Sequence, residues 1–94
     1  MKPFYVYILE CRDGSYYTGH TDDIDKRISE HNMGKISGYT SKRRPVKVVF
    51  IQTFGSRYEA LAAERQIKGW FRAKKKALIC EDWDLLQYLS NLKK

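Results

Sequence analysis

A chain of 94 residues has room for one domain with a modest core, and its 43% hydrophobic and 14% aromatic content argues against disorder. No apolar run approaches the roughly 20 residues needed to cross a bilayer, and Met1-Lys2-Pro3-Phe4 leads into strand-like sequence without a signal-peptide core, so a cytoplasmic protein with no membrane partner is expected. Eighteen Lys and Arg against eleven Asp and Glu leave a formal net charge of +7, which makes polyanions the natural partners.

Phe4 to Cys11 is rich in β-branched and aromatic residues, Asp13-Gly14 is a hairpin turn signal, and Ser15 to His20 returns as a second strand. Thr21 suits an N-cap, with Asp22, Asp23 and Asp25 in the first turn where the helix dipole favours them. Ile24 and Ile28 set an apolar stripe on that helix, which should end near Asn32 to Gly34. Gly34 to Pro45 reads as an exposed, mobile loop carrying the Lys42-Arg43-Arg44 run. Val46 to Phe54 has the pattern of a third, central strand, broken by Gly55.

Ser56-Arg57-Tyr58-Glu59 fits a capping box, so a helix is expected from about Arg57 to Phe71 with Ala60, Ala63, Ile67, Trp70 and Phe71 facing inward. Lys74 to Cys80 reads as a short helix, and Trp83, Leu85, Leu86, Leu89 and Leu92 mark a terminal amphipathic one. The order predicts an α+β fold in a single domain over 1–94, a small three-stranded antiparallel sheet flanked by helices. Cys11 and Cys80 lack the spacing of a metal knuckle and are expected to be reduced, packed thiols, with Trp70 and Trp83 also in the core.

Four places hold polar groups that packing alone would not choose. Tyr7 and Tyr17 lie on neighbouring strands and can share a face. Arg27 and His31 are four apart on one side of the first helix. Glu64 sits beside the buried stripe of its helix, where an unpaired charge is expensive. Each also has an ordinary reading: tyrosines fit pleated surfaces, His31 opposes a helix dipole, and Glu64 pairs with Lys68 at i, i+4.

Together these residues resemble the GIY-YIG nuclease domain. Val6-Tyr7-Ile8 and Tyr17-Thr18-Gly19 correspond to the two halves of its signature, followed in order by Thr21, Arg27, His31-Asn32 and Glu64 in AAERQIK. The resemblance covers nearly the whole chain, and it is similar to the small stand-alone bacterial members of the family. Val6 stands where the signature has Gly, and Thr18 where it has Ile; both are framework positions.

The resemblance implies a metal-dependent endonuclease that hydrolyses phosphodiester bonds in DNA, structure-selective toward branched or single-stranded forms and serving DNA repair or recombination. Tyr7 would be the general base, its phenol pulled well below its usual pKa of about 10 by nearby cations. Arg27 would neutralise a phosphate oxygen. Glu64 would be the single protein ligand to one Mg²⁺ or Mn²⁺. Tyr17 would orient water or bond the scissile phosphate, His31 would hydrogen-bond Tyr7 or relay its proton, and Lys68 would touch phosphate or pair with Glu64. His20 receives no role. Lys42, Arg43 and Arg44 with Lys47, and Arg72, Lys74, Lys75 and Lys76, are dense cationic groups suited to phosphate contacts that position nucleic acid without reading bases. Lys42, Arg43, Arg44, Lys68, Arg72, Lys74 and Lys75 are therefore candidate nucleic-acid-binding residues. Two other readings stand: a nucleic-acid-binding module of the same fold that cleaves nothing, and a domain that engages an unidentified protein partner through its C-terminal leucine helix.

Overall fold

The computed structural model describes residues 2–36 and 38–92; of the residues read above, Met1 lies outside them. The elements are β1 (Phe4–Glu10), β2 (Tyr16–Thr21), α1 (Ile24–Asn32), a short 3₁₀ turn (Tyr39–Lys42), β3 (Lys47–Phe54), α2 (Arg57–Lys68), α3 (Arg72–Ile79) and α4 (Trp83–Ser90). The three strands form one antiparallel sheet in the order β2-β1-β3, and the fold is the expected α+β arrangement.

β1, not β3, is the central strand, and Val48 and Ile51 of β3 are exposed. A β-branched apolar run fits either place. The position is decided by β1 pairing with its hairpin partner on one side and with β3 on the other, across a register irregularity at Ile8 and Leu9. Alternation along β1 then splits the core. Val6 and Ile8 face Ala60 and Ile67 of α2 and Leu78 of α3, whereas Tyr7 and Leu9 face the opposite side with Cys11, Val46, Ile24 and Ile28.

Local chemistry sets the helix ends. The N-cap of α1 is Asp23, whose carboxylate accepts from the Lys26 amide, while the Thr21 hydroxyl, two residues earlier, accepts from the Asp23 amide. Thr21 is still in β2, so the expected cap lies two residues too early. Ser56 caps α2 as its motif predicts, accepting from the Glu59 amide and donating to its carboxylate. That helix stops at Lys68 with Gly69 as its C-cap, so Phe71 lies outside it as the N-cap of α3 and is 40% exposed.

Trp70 packs against the core, but Trp83 is 56% exposed and α4 has no buried residue; Leu86 is its link to the core. Cys11 is buried and Cys80 is exposed, so only one thiol is packed. The 34–45 segment is not wholly exposed either: its 3₁₀ turn buries Thr40 completely against α1.

Candidate active site

The hairpin register sets Tyr7 opposite Gly19 and Leu9 opposite Tyr17. Residues directly opposite share a face, so the two phenols are diagonal neighbours on the α1 side, with ring centroids 6.5 Å apart. Gly19 is required here by space: a Cβ at that position would lie 2.5 Å from the Tyr7 hydroxyl. The glycine of Tyr17-Thr18-Gly19 makes room for the tyrosine of Val6-Tyr7-Ile8.

α1 delivers the next two groups from one side, as the i, i+4 spacing predicts. Tyr7 Oη is 3.1 Å from His31 Nε2, and His31 Nδ1 is 2.7 Å from Thr40 Oγ1. His31 also meets the Tyr17 ring edge-on at 5.2 Å between centroids. Tyr7, His31 and Thr40 are each buried, at 0, 0 and 1% exposure. The Arg27 guanidinium lies near enough to the Tyr7 phenol to favour its ionised form and is 3.4 Å from Glu30.

Glu64 reaches the cluster from α2. It is 7% exposed, and its carboxylate is held at both oxygens, by His20 Nδ1 on Oε1 and by Lys68 Nζ on Oε2 at 2.6 Å. The Lys68 ammonium also lies 5.8 Å from the centre of the Tyr17 ring. Because His20 pairs with Val6 and Tyr17 with Leu9, the carboxylate and the phenols approach from opposite faces of β2, and Lys68 spans between them.

His20 is the residue that sequence reasoning passed over. Its signal was parity: one position after Gly19, it must face α2. Its Nδ1 faces the Glu64 carboxylate, and the Arg57 guanidinium lies 3.5 Å from its Nε2.

Burial pushes the Tyr7 phenol up to about 12, the neighbouring Tyr17 adds to this, and Arg27 opposes without prevailing. The expected depression is therefore absent: complete burial of the ring outweighs the cation beside it. His31 is held below the usual imidazole value, first by burial and then by Arg27, and is neutral. For Glu64 burial acts upward, but hydrogen bonds from Lys68 and His20 and their charges hold the carboxyl below its ordinary value.

The candidate binding cations divide. The Lys42 side chain has no ion pair or hydrogen bond among the described residues. Arg43 is committed: it donates to Asp13 and to the Tyr39 carbonyl, and its guanidinium lies 3.9 Å over the Tyr39 ring. Arg44 donates to the carbonyls of Ser41 and Asn32 and packs where a Cβ on Gly34, whose φ is +77°, would collide with it. Its charge meets no carboxylate among the described residues. Lys42, Arg44, Arg12 and Asn32 line a common cleft of about 450 Å³. Arg72 lies over Tyr16 and Lys74 over Trp70, at 4.3 and 4.4 Å, and burial followed by the charge of Lys68 lowers the Lys75 pKa. Lys47 pairs with Glu10.

Glu64 suits a hard divalent cation. It is ionised, and each oxygen keeps a lone-pair direction beyond the hydrogen bond it accepts. Among the described residues no three His, Cys, Asp or Glu converge as a ligand set, so such an ion would take this one side chain, with water and phosphate oxygens completing its shell.

The family model described as the GIY-YIG catalytic domain matches residues 3–77. A UPF0213 protein of Streptococcus pneumoniae is 46% identical over 86 residues, covering 89% of this chain and 87% of its own. A UPF0213 protein of Haloquadratum walsbyi is 46% identical, covering 88% of this chain and 93% of its own. Two solution NMR structures are similar. A UPF0213 protein from Bacillus halodurans is 46% identical with a TM-score of 0.55, covering 83% of each chain, and a protein from E. faecalis is 39% identical with a TM-score of 0.59, covering 90% of each.

Proposed function

The chain belongs to the GIY-YIG catalytic domain family, and from that premise we propose that it is a metal-dependent endonuclease that hydrolyses phosphodiester bonds in DNA. One observation carries the reading: Tyr7, Tyr17, Arg27, His31 and Glu64, far apart in sequence, meet around β2. Phosphodiester hydrolysis needs an activated water, relief of charge on the phosphoryl oxygens and stabilisation of the leaving oxygen.

Tyr7 takes the proton of the attacking water. Burial keeps it protonated at neutral pH, so its base form grows about tenfold per pH unit and cleavage should accelerate in alkaline solution. Arg27, beside the same phenol, offers its donors to a non-bridging phosphate oxygen. Tyr17, packed on His31 and under Lys68, has its hydroxyl to bond the scissile phosphate or the water. Glu64 would hold one Mg²⁺ or Mn²⁺, which when bound supplies positive charge for the departing oxygen. His20 and Lys68 hold that carboxylate ionised and in place.

Lys42, Arg44 and Arg12 supply backbone contacts without base readout, so the substrate is selected by shape, as a branched or single-stranded DNA. The test is a cleavage screen over duplex, nicked, branched and single-stranded substrates with Mg²⁺ or Mn²⁺, comparing the wild type with Glu64→Ala. The variant should fold and lose at least a hundredfold in rate; equal rates reject the assignment. Salt-sensitive binding with no cleavage by the wild type would instead favour a silent binding module.

A further inference from the structure

Thr40 has no role in the chemistry above, yet it is the most deeply buried of the described residues of the 34–45 segment and among them its side chain makes a single hydrogen bond, to His31 Nδ1. The imidazole is neutral and sits between two hydroxyls, so the chain Thr40–His31–Tyr7 can run in only two directions. Either Tyr7 donates to Nε2 and Nδ1–H donates to Thr40, or Thr40 donates to Nδ1 and Nε2–H donates to Tyr7.

Two observations separate them. An O–H donor makes the shorter bond, with a typical separation of about 2.7–2.8 Å, and an N–H donor the longer, about 2.9–3.0 Å. The Thr40 contact is 2.7 Å and the Tyr7 contact, at 3.1 Å, is longer than hydroxyl donors commonly make, which favours the hydroxyl donor at Thr40 and the N–H donor at Nε2. The second observation is which proton is left over. In the first direction the orphan is the Thr40 hydroxyl proton, on a residue 1% exposed; in the second it is the Tyr7 hydroxyl proton, on a residue 0% exposed, so the two differ in which proton is left and not in its burial. The Arg27 guanidinium nearby already favours the ionised phenol, and a donating Nε2–H adds a hydrogen-bond donor to its oxygen. A phenolate would then be stabilised by both groups, and the one unsatisfied proton is the one a general base must lose.

We propose that Thr40 is a positioning residue: its hydroxyl donates to His31 Nδ1, fixes the imidazole as the Nε2–H tautomer and aims that proton at the oxygen of Tyr7. The tautomer stands on the two contact lengths around a neutral imidazole, while its catalytic consequence rests on the nuclease reading. Thr40 touches neither substrate nor metal; it acts through His31.

The experiment has two arms. Long-range ¹H–¹⁵N correlation on ¹⁵N-histidine protein at pH 8 reads the tautomer directly, and His20→Gln identifies the His31 signals, since the chain has two histidines. Nε2 protonated with Nδ1 bare is expected; Nδ1 protonated overturns the proposal, and the wild type alone decides this. In the second arm Thr40→Val, which keeps shape and removes the donor, should move the Nδ1 resonance and lower kcat about tenfold, the rate equivalent of one hydrogen bond, with KM within twofold. Thr40→Ser should restore both. An unchanged kcat in folded Thr40→Val overturns the catalytic role. If the wild type cleaves nothing, the nuclease reading fails by itself and the spectrum still judges the tautomer.

Discussion

Gly19 and Tyr7 face each other across the hairpin so closely that a single added methyl at Gly19 would fall 2.5 Å from the phenol oxygen. The two halves of the signature are thus one steric unit. Gly19→Ala should force the Tyr7 ring aside, cost about 1–3 kcal/mol of stability by overpacking and lower cleavage by about a hundredfold through misplacement of the base. Urea denaturation and single-turnover cleavage check the two effects. A variant as stable and active as wild type would show that β2 yields and that the contact is incidental.

Thr18 stands where the family signature has Ile, and its hydroxyl is buried without a partner among the described residues. It faces the apolar side of the sheet with Ile8. Thr18→Val removes the orphan hydroxyl at nearly constant shape and should stabilise the domain by about 1–2 kcal/mol, a rise of about 5–10 °C in Tm. Calorimetry reads this, and cleavage should be unaffected because the side chain points away from the phenols.

Two buried groups should shape stability against pH. Tyr7 titrates near 12 when folded against 10.0 ordinarily, so above pH 10 the unfolded chain gives up a proton that the folded one keeps, and stability falls by about 1.4 kcal/mol per pH unit up to 12. Tyr7→Phe should remove that increment from the alkaline slope. His31 has the opposite sign: its folded value lies below 6.5, so its contribution is present above pH 6.5 and is lost as pH falls through the folded value. Denaturation of the wild type and His31→Gln between pH 5 and 8 tests this, the variant losing the dependence.

Adjacent cations should behave differently in binding. Lys42→Ala, removing a charge with no partner within the described chain, should weaken DNA binding and lower the slope of log affinity against log salt by about one. Arg43→Ala should leave that slope nearly unchanged and instead destabilise the turn, because Arg43 ties Asp13 and Tyr39 together. Fluorescence anisotropy at several salt concentrations separates the two.

Most of the site was legible because spacing in sequence fixed direction in space. The hairpin turn set the parity that brings Tyr7 and Tyr17 to one face, and four residues on α1 set Arg27 beside His31. Three things were not legible. Strand order depends on which partners a strand acquires, and Val46 to Phe54 looks the same at an edge as in the middle. The depth of Tyr7, and hence the upward shift of its phenol, comes from α1 closing over it, which local sequence does not state. Thr40 and His20 gained their roles from long-range neighbours, across nine and 44 positions, in segments whose composition reads as turn or solvent-facing strand.

The sheet order has a consequence for regulation. Tyr17 and His20 lie on the outer strand β2, on the phenol face and the carboxylate face respectively, so the rim of the sheet runs between the two groups of side chains. A peptide that extends the sheet by pairing along β2 would occupy that rim and silence the chemistry, whereas one adding along β3 would leave it open. Inhibition by strand addition should therefore be possible at one border of this sheet and not at the other.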